Sequence, residues 1–341
     1  DLSRPSRKPY FSKTSNQVSD MSVFTSENAE RASALHPMAE KVAQSSARLK
    51  PLEQCTPEEA RAVREERGNP FAPVACELAE ISDVEIPSSG GKLAARKYVP
   101  KFTDEGLKPA LVFFHGGGHV VGNVEQYDTF AQQLAFQGNC IVVSVEYRLA
   151  PETKSRGIYQ DGFDALRWVF SSAEILGIDS SRIAIGGDSA GANLTIAVCL
   201  MCKEANVDMP AFQLLIYPAT DYRMSYPSID EFAEGYFLTK AGKKWFRNHF
   251  LENDSRAEDP IVSAMLADVS GLPESFVITA GFDPLRDEGK AFADRLSEYG
   301  VQTRHVCYTD MIHGFVSFAG GIPAGMEALE EMGRELKKVL S

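Results

Sequence analysis

From about residue 82 onward, short apolar runs alternate with longer segments in which apolar side chains recur every three or four positions. The runs "VEIP", "KLAARKYV", "ALVFF", "CIVVSVEY", "RIAIGG", "FQLLIY", "SFVITAG" and "TRHVCY" predict eight strands. Several are apolar without a break, as expected where both faces of a strand are covered. Between them, "DGFDALRWVFSSAEIL" sets Phe163, Leu166 and Val169 on one helical face. "DEGKAFADRLSEYG" does the same with Phe292 and Leu296 and stops at Gly300, and the last segment aligns Leu329, Met332, Leu336 and Val339. Strands alternating with helices predict an α/β fold, a mostly parallel sheet with helices on both faces. Such sheets bind ligands beyond the carboxyl ends of their strands.

Two stretches break the alternation. Residues 27–68 are charged and helical in pattern; "TPEE" (Thr56–Glu59) reads as a capping box with Pro57 at the first helical position, and Gly68 ends the helix. Residues 222–258 contain "FAEGYFLTKAGKKWFRNHFLEN", rich in aromatics and lacking a strand, so the chain leaves the sheet there and returns. The expected division is an N-terminal extension with cap helices (1–75), a catalytic domain (76–221 and 259–341) and a second cap segment (222–258).

Composition narrows the function. The chain has 341 residues and a formal charge of −12, which argues against a nucleic-acid surface and against anionic lipid. No apolar run reaches the roughly 18 residues of a membrane span. The cysteines, Cys55, Cys76, Cys140, Cys199, Cys202 and Cys307, have no flanking histidines in ligand spacing and read as buried thiols, with no metal. Residues 1–20 have no secretory signal pattern, so Met21 is expected as a natural start and the location as cytoplasmic.

Chemistry concentrates at strand ends. Gly187-Asp188-Ser189-Ala190-Gly191 is a G-x-S-x-G sequence between a predicted strand and the buried helix "AGANLTIAVCLMCKEA". Small neighbours permit a sharp turn that projects the hydroxyl of Ser189, and the helix start favours an anion beside it. A serine nucleophile needs a base. Of six histidines, His36 and His249 fall in the segments assigned above the sheet and His305 inside the last strand. His313 lies just past that strand in "DMIHGF" and is the candidate base. Among Asp283, Asp287 and Glu288, Asp283 comes first after its strand and is the candidate acid, while the other two suit a helix's first turn. The order Ser189, Asp283, His313 is that of a triad on this kind of sheet. "FFHGGGHV" supplies a glycine triplet whose Gly116 and Gly117 N–H groups, with that of Ala190, are the expected oxyanion donors.

"HGGG" (115–118), "YRLAPE" (147–152), "GDSAG" (187–191), "GLPESFVITAGFDPLRDEG" (271–289) and "HGF" (313–315) resemble the hormone-sensitive-lipase-like family of α/β-hydrolase carboxylesterases. The resemblance runs from about residue 80 to the C-terminus and implies an eight-stranded α/β-hydrolase fold with a helical cap. It further implies hydrolysis of short- to medium-chain esters without a cofactor, and admits a homodimer through the final edge strand. By analogy, His115 organises the glycine loop. An amidase, lactonase or carbamate hydrolase would use the same residues, and a receptor on this scaffold would have lost one of them. The chain departs from the family at His119, where an aromatic residue is usual, and at Thr153-Lys154-Ser155-Arg156-Gly157, where a His-x-Phe-Pro-Ala-like run is usual. The first departure predicts a more polar pocket wall and a second titrating imidazole; the second predicts an altered or mobile loop.

Overall fold

The computed structural model describes residues 31–341, so the expectations for residues 1–20 and Met21 lie outside the described residues. All eight apolar runs fall in strands: β1 (Glu80–Ser88), β2 (Gly91–Val99), β3 (Lys108–Phe114), β4 (Ile141–Val145), β5 (Ile178–Asp188), β6 (Phe212–Ile216), β7 (Glu274–Phe282) and β8 (Thr303–Ile312). They form one sheet in the order β1-β2-β4-β3-β5-β6-β7-β8. Only β2 runs against its neighbours β1 and β4; every other pairing is parallel.

The helices are α1 (Pro37–Ser46), α2 (Pro57–Arg67), α3 (Asp128–Gly138), α4 (Ser155–Ser171), α5 (Ala173–Leu176), α6 (Ala190–Ala205), α7 (Ser228–Glu231), α8 (Lys240–Phe250), α9 (Arg286–Glu298) and α10 (Pro323–Val339). Successive residues of a strand face opposite sides, and β3 shows it. Ala110, Val112 and Phe114 enter one core with Leu166 of α4, Val198 of α6 and Phe292 of α9. Leu111 and Phe113 enter the other with Leu134 of α3 and Met332 of α10. α4, α9 and α10 cover the sheet with the apolar stripes read from their sequences.

α2 carries the expected capping box, with Thr56 and Glu59 bonding each other's backbone, and ends at Gly68 with φ 58°. α1 packs against the last strand. Its Ala39, Val42 and Ala43 join the α3/α10 core, and His36 N–H, just before the helix, donates to Asp310 O near the carboxyl end of β8 (2.9 Å). α8 lies on the N-terminal segment, where Trp245 Nε1–H donates to Cys55 O (3.1 Å). Three cysteines, Cys140, Cys199 and Cys202, are buried as expected; Cys55, Cys76 and Cys307 are half-exposed. Among the described residues, no helix is long and apolar enough to cross a membrane.

Candidate active site

β5 ends at Asp188, α6 begins at Ala190, and Ser189 alone makes the turn with φ 56° and ψ −115°. A positive φ is costly for a residue with a side chain and persists only where the surroundings impose it. Here they do. Ser189 N–H donates to Ile216 O (2.8 Å), and Ser189 O accepts from Asn193 N–H (3.2 Å). The flanking glycines are required by space: a Cβ on Gly191 would lie 2.0 Å from Phe114 O, and one on Gly187 would lie 2.4 Å from the Gly191 carbonyl carbon. The turn therefore presses against the end of β3.

Asp283 follows β7 and His313 follows β8, as their positions in the sequence predict. His313 Nε2 is 2.9 Å from Ser189 Oγ, and His313 Nδ1 is 2.7 Å from Asp283 Oδ2. An ionised carboxylate only accepts, so Nδ1 carries the ring proton and the Nε2 lone pair faces the serine hydroxyl. Asp283 is fully buried, and Leu285 N–H donates to its Oδ1 (2.8 Å), which leaves Oδ2 for the imidazole. Asp287 and Glu288 lie in the first turn of α9 and face elsewhere: Asp287 Oδ2 accepts from Ser228 N–H, Glu288 Oε1 from Thr220 N–H.

The glycine loop corrects one expectation. Gly116 N–H is already committed to Asp188 Oδ1 (2.6 Å), so it is not available to a substrate oxygen. Among the described residues, the N–H groups of Gly117, Gly118 and Ala190 meet no acceptor. Gly117 and Gly118 have φ 116° and 61°, which turns the loop as it leaves β3. His115 braces the loop: Nδ1–H donates to Gly116 O (2.7 Å), and the ring stacks on Tyr147 at 4.5 Å. Full burial pushes its pKa down to about 4.

A family model for the α/β-hydrolase fold matches residues 111–317. Carboxylesterase NlhH of Mycobacterium tuberculosis is 37% identical over 252 residues, covering 73% of this chain and 79% of its own. The ethyl acetate hydrolase of Pseudomonas putida is 33% identical, covering 84% of this chain and 91% of its own. The chain belongs to the hormone-sensitive-lipase-like family of α/β hydrolases. This hydrolase also superposes on an ester hydrolase from the Lake Arreo metagenome, with TM-score 0.86, 37% identity and coverage of 89% of this chain and 98% of that one. An esterase of Pyrobaculum calidifontis gives TM-score 0.83 at 34% identity, covering 90% and 100%. The protein is a carboxylic ester hydrolase.

Three features of the hydrolase's site were not read from its sequence. Asp188, the variable position before Ser189 in the G-x-S-x-G sequence, is buried and takes both the Gly116 N–H and the Tyr127 hydroxyl (3.0 Å). Burial raises its pKa to about 6 against the pull of those two donors. A charged residue placed directly after the buried run Ile183–Gly187 was the available signal. Phe246 of α8 sits on the glycine loop, where a Cβ on Gly118 would fall 2.2 Å from its ring. Phe237 lies beside Gly314 and packs edge-on to Phe318 at 5.2 Å, forming the wall next to His313. Pairings across such sequence distances leave no local trace.

At both departures from the family pattern the structure corrects part of the expectation: the imidazole does not titrate and the loop is not mobile. His119 does not titrate near neutrality. Its ring is fully buried and stacked on Phe250 (4.2 Å, 19°), and burial drives its pKa down to about 3. Residues 153–157 are tied down, with Thr153 N–H donating to Leu149 O (2.9 Å) and Ser155 fully buried at the start of α4. Of the remaining histidines, His36 accepts from Met38 N–H, His249 lies against Trp245, and His305 pairs with Thr279. Among the described residues, no group of three His, Cys, Asp or Glu side chains is placed to hold a metal ion.

Proposed function

We propose that this hydrolase cleaves short- to medium-chain acyl esters through an acyl-enzyme on Ser189, with His313 as base and Asp283 as its orienting acid. The observation that carries the reading is the continuous line Asp283 Oδ2 to His313 Nδ1 (2.7 Å) and His313 Nε2 to Ser189 Oγ (2.9 Å). Ser189 Oγ attacks the ester carbonyl carbon while Nε2 takes the hydroxyl proton. Negative charge moves to the carbonyl oxygen, which the N–H groups of Gly117, Gly118 and Ala190 receive at the positive end of α6. Collapse breaks the ester C–O bond, and Nε2–H protonates the departing alcohol. Water then attacks the acyl-enzyme as Nε2 accepts its proton, the second intermediate collapses, and Ser189 recovers its hydrogen as the acid leaves. No step requires a metal or an organic cofactor.

The aromatic walls Phe237 and Phe246 and the relative named for ethyl acetate support a preference for small acyl groups. We read residues 1–75 as an N-terminal extension with cap helices, 222–258 as a second cap segment, and 76–221 with 259–341 as the catalytic domain. The seat of α8 on Cys55 and over Gly118 supports that division. Turnover of p-nitrophenyl butyrate tests the assignment. Ser189→Ala is expected to reduce it to background, and Asp283→Asn to lower kcat by up to about 10⁴, because the amide presents the wrong tautomer to His313. Damage from Asp287→Asn with Asp283→Asn intact would reassign the acid.

A further inference from the structure

The run Thr153–Gly157 begins α4, whose first turn has no acidic residue and whose N-cap, Lys154, makes no side-chain cap bond. Helix ends leave N–H groups at the start and carbonyls at the finish without partners, and these carry partial positive and negative charge. α4's missing cap comes from residues 251–253, just past the end of α8. Glu252 Oε2 accepts from Ser155 Oγ–H (2.8 Å), and Glu252 Oε1 accepts from Arg156 N–H (3.3 Å). In return, the Lys154 ammonium donates to His249 O in the last turn of α8. The Arg256 guanidinium pairs with the same Glu252 Oε2 at 3.3 Å. Each helix thus has one end closed by the other's segment.

The consequence lies one turn back along α8. This helix sets the Phe246 ring on Gly118 and stacks Phe250 on His119, so its seat determines the space above the glycine loop. Toward its start, Lys243 is held by the buried Glu288. Toward its finish, the exchange with residues 154–156 joins the bond from Arg247 Nε–H to Tyr222 O (2.8 Å) and the buried Phe250 ring in holding it.

We propose that Lys154, Ser155 and Glu252 are positioning residues that clamp the end of α8, keep Phe246 down on the glycine loop, and so limit the bulk of the ester group admitted there. The proposal rests on the site reading above, taking the glycine loop as the face that receives the substrate carbonyl. It assigns to the 153–157 departure a role in size selection.

Two substrate series test it on the full chain: p-nitrophenyl esters from acetate to decanoate, and acetates of alcohols of rising size. Lys154→Met and Glu252→Ala each remove clamp hydrogen bonds, and losses of that size correspond to about threefold to tenfold. The ratio of kcat/KM for the octanoate over the butyrate, or for the large alcohol over ethanol, is expected to rise by that factor. The rise should come from KM of the large substrate, with kcat on butyrate within about twofold of wild type, and Lys154→Arg, which keeps the donor to His249 O, should restore the wild-type ratio. If Glu252→Ala does not fold, the half-exposed Lys154→Met decides alone. A folded Lys154→Met with wild-type ratios in both series overturns the clamp. Turnover retained by Ser189→Ala overturns the site reading instead.

Discussion

Asp188 occupies an unusual position for a carboxylate: fully enclosed, directly before Ser189, and bonded to the loop that faces it. Because it holds Gly116 N–H, it aligns the two following N–H groups without touching substrate. Asp188→Asn keeps one acceptor for Gly116 but places an amide donor toward the Tyr127 hydroxyl. Small misplacements of a catalytic frame cost on the order of 10²-fold, so kcat should fall about 10- to 100-fold with KM little changed. Its stability effect has a defined sign. The folded pKa, about 6, lies above the ordinary carboxylate value, so the folded state binds the proton more tightly than the unfolded one. This group's contribution therefore weakens as pH rises toward 6, and Asp188→Asn should relieve it, raising Tm relative to wild type more at pH 8 than at pH 4. A uniform loss of Tm at both values would contradict that. His119 gives a complementary test. With its pKa near 3, it stays neutral across the working range, so His119→Gln should leave the acid limb of the kcat/KM profile in place. A shifted limb would show that this imidazole titrates with the reaction.

At the scale of elements, the joint between α8 and α9 matters most. Lys243 reaches from α8 to Glu288, whose Oε1 also accepts from Thr220 N–H (2.8 Å) and Asp221 N–H (3.2 Å). Burial pushes the Glu288 carboxyl up to about 7 against the pull of the Lys243 ammonium. Removing one partner of a buried pair typically costs about 3–5 kcal/mol, because the other charge is stranded. Lys243→Met lets Glu288 escape that cost by holding a proton, which is easier at low pH. The Tm penalty should therefore be small at pH 5 and large at pH 8; a pH-independent penalty would rule out this account. Strands and the core-covering helices were legible at this scale, because continuous apolar runs and three-four spacing report local geometry directly. "RIAIGG" became β5 and Leu329, Met332 and Leu336 face the core as read. The destination of α1 was not legible. Its apolar face does not name the α3/α10 core it joins, and the bond from His36 to Asp310 depends on the final placement of β8.

Across the whole molecule, the site comes from the ends of β3, β5, β7 and β8, drawn together by parallel pairing that sets all their carboxyl ends at one edge. That rule made Ser189, Asp283 and His313 readable as a group although they are distant in sequence. It could not reveal that Gly116 is spent on Asp188, since a hydrogen bond between two loops depends on their final separation. Nor could it reveal that Phe246 covers Gly118 while Phe250 covers His119, because the same aromatic helix fits several seats. The central claim is that Ser189, activated by His313, is the one nucleophile of this ester hydrolase. The most direct measurement is intact-mass and peptide analysis after reaction with diethyl p-nitrophenyl phosphate, with residual esterase activity followed in parallel. One phosphoryl group per chain on Ser189, with activity lost in proportion and no labelling in Ser189→Ala, is the predicted result. Labelling at another residue with loss of activity, or undiminished turnover once Ser189 is fully modified, would contradict it.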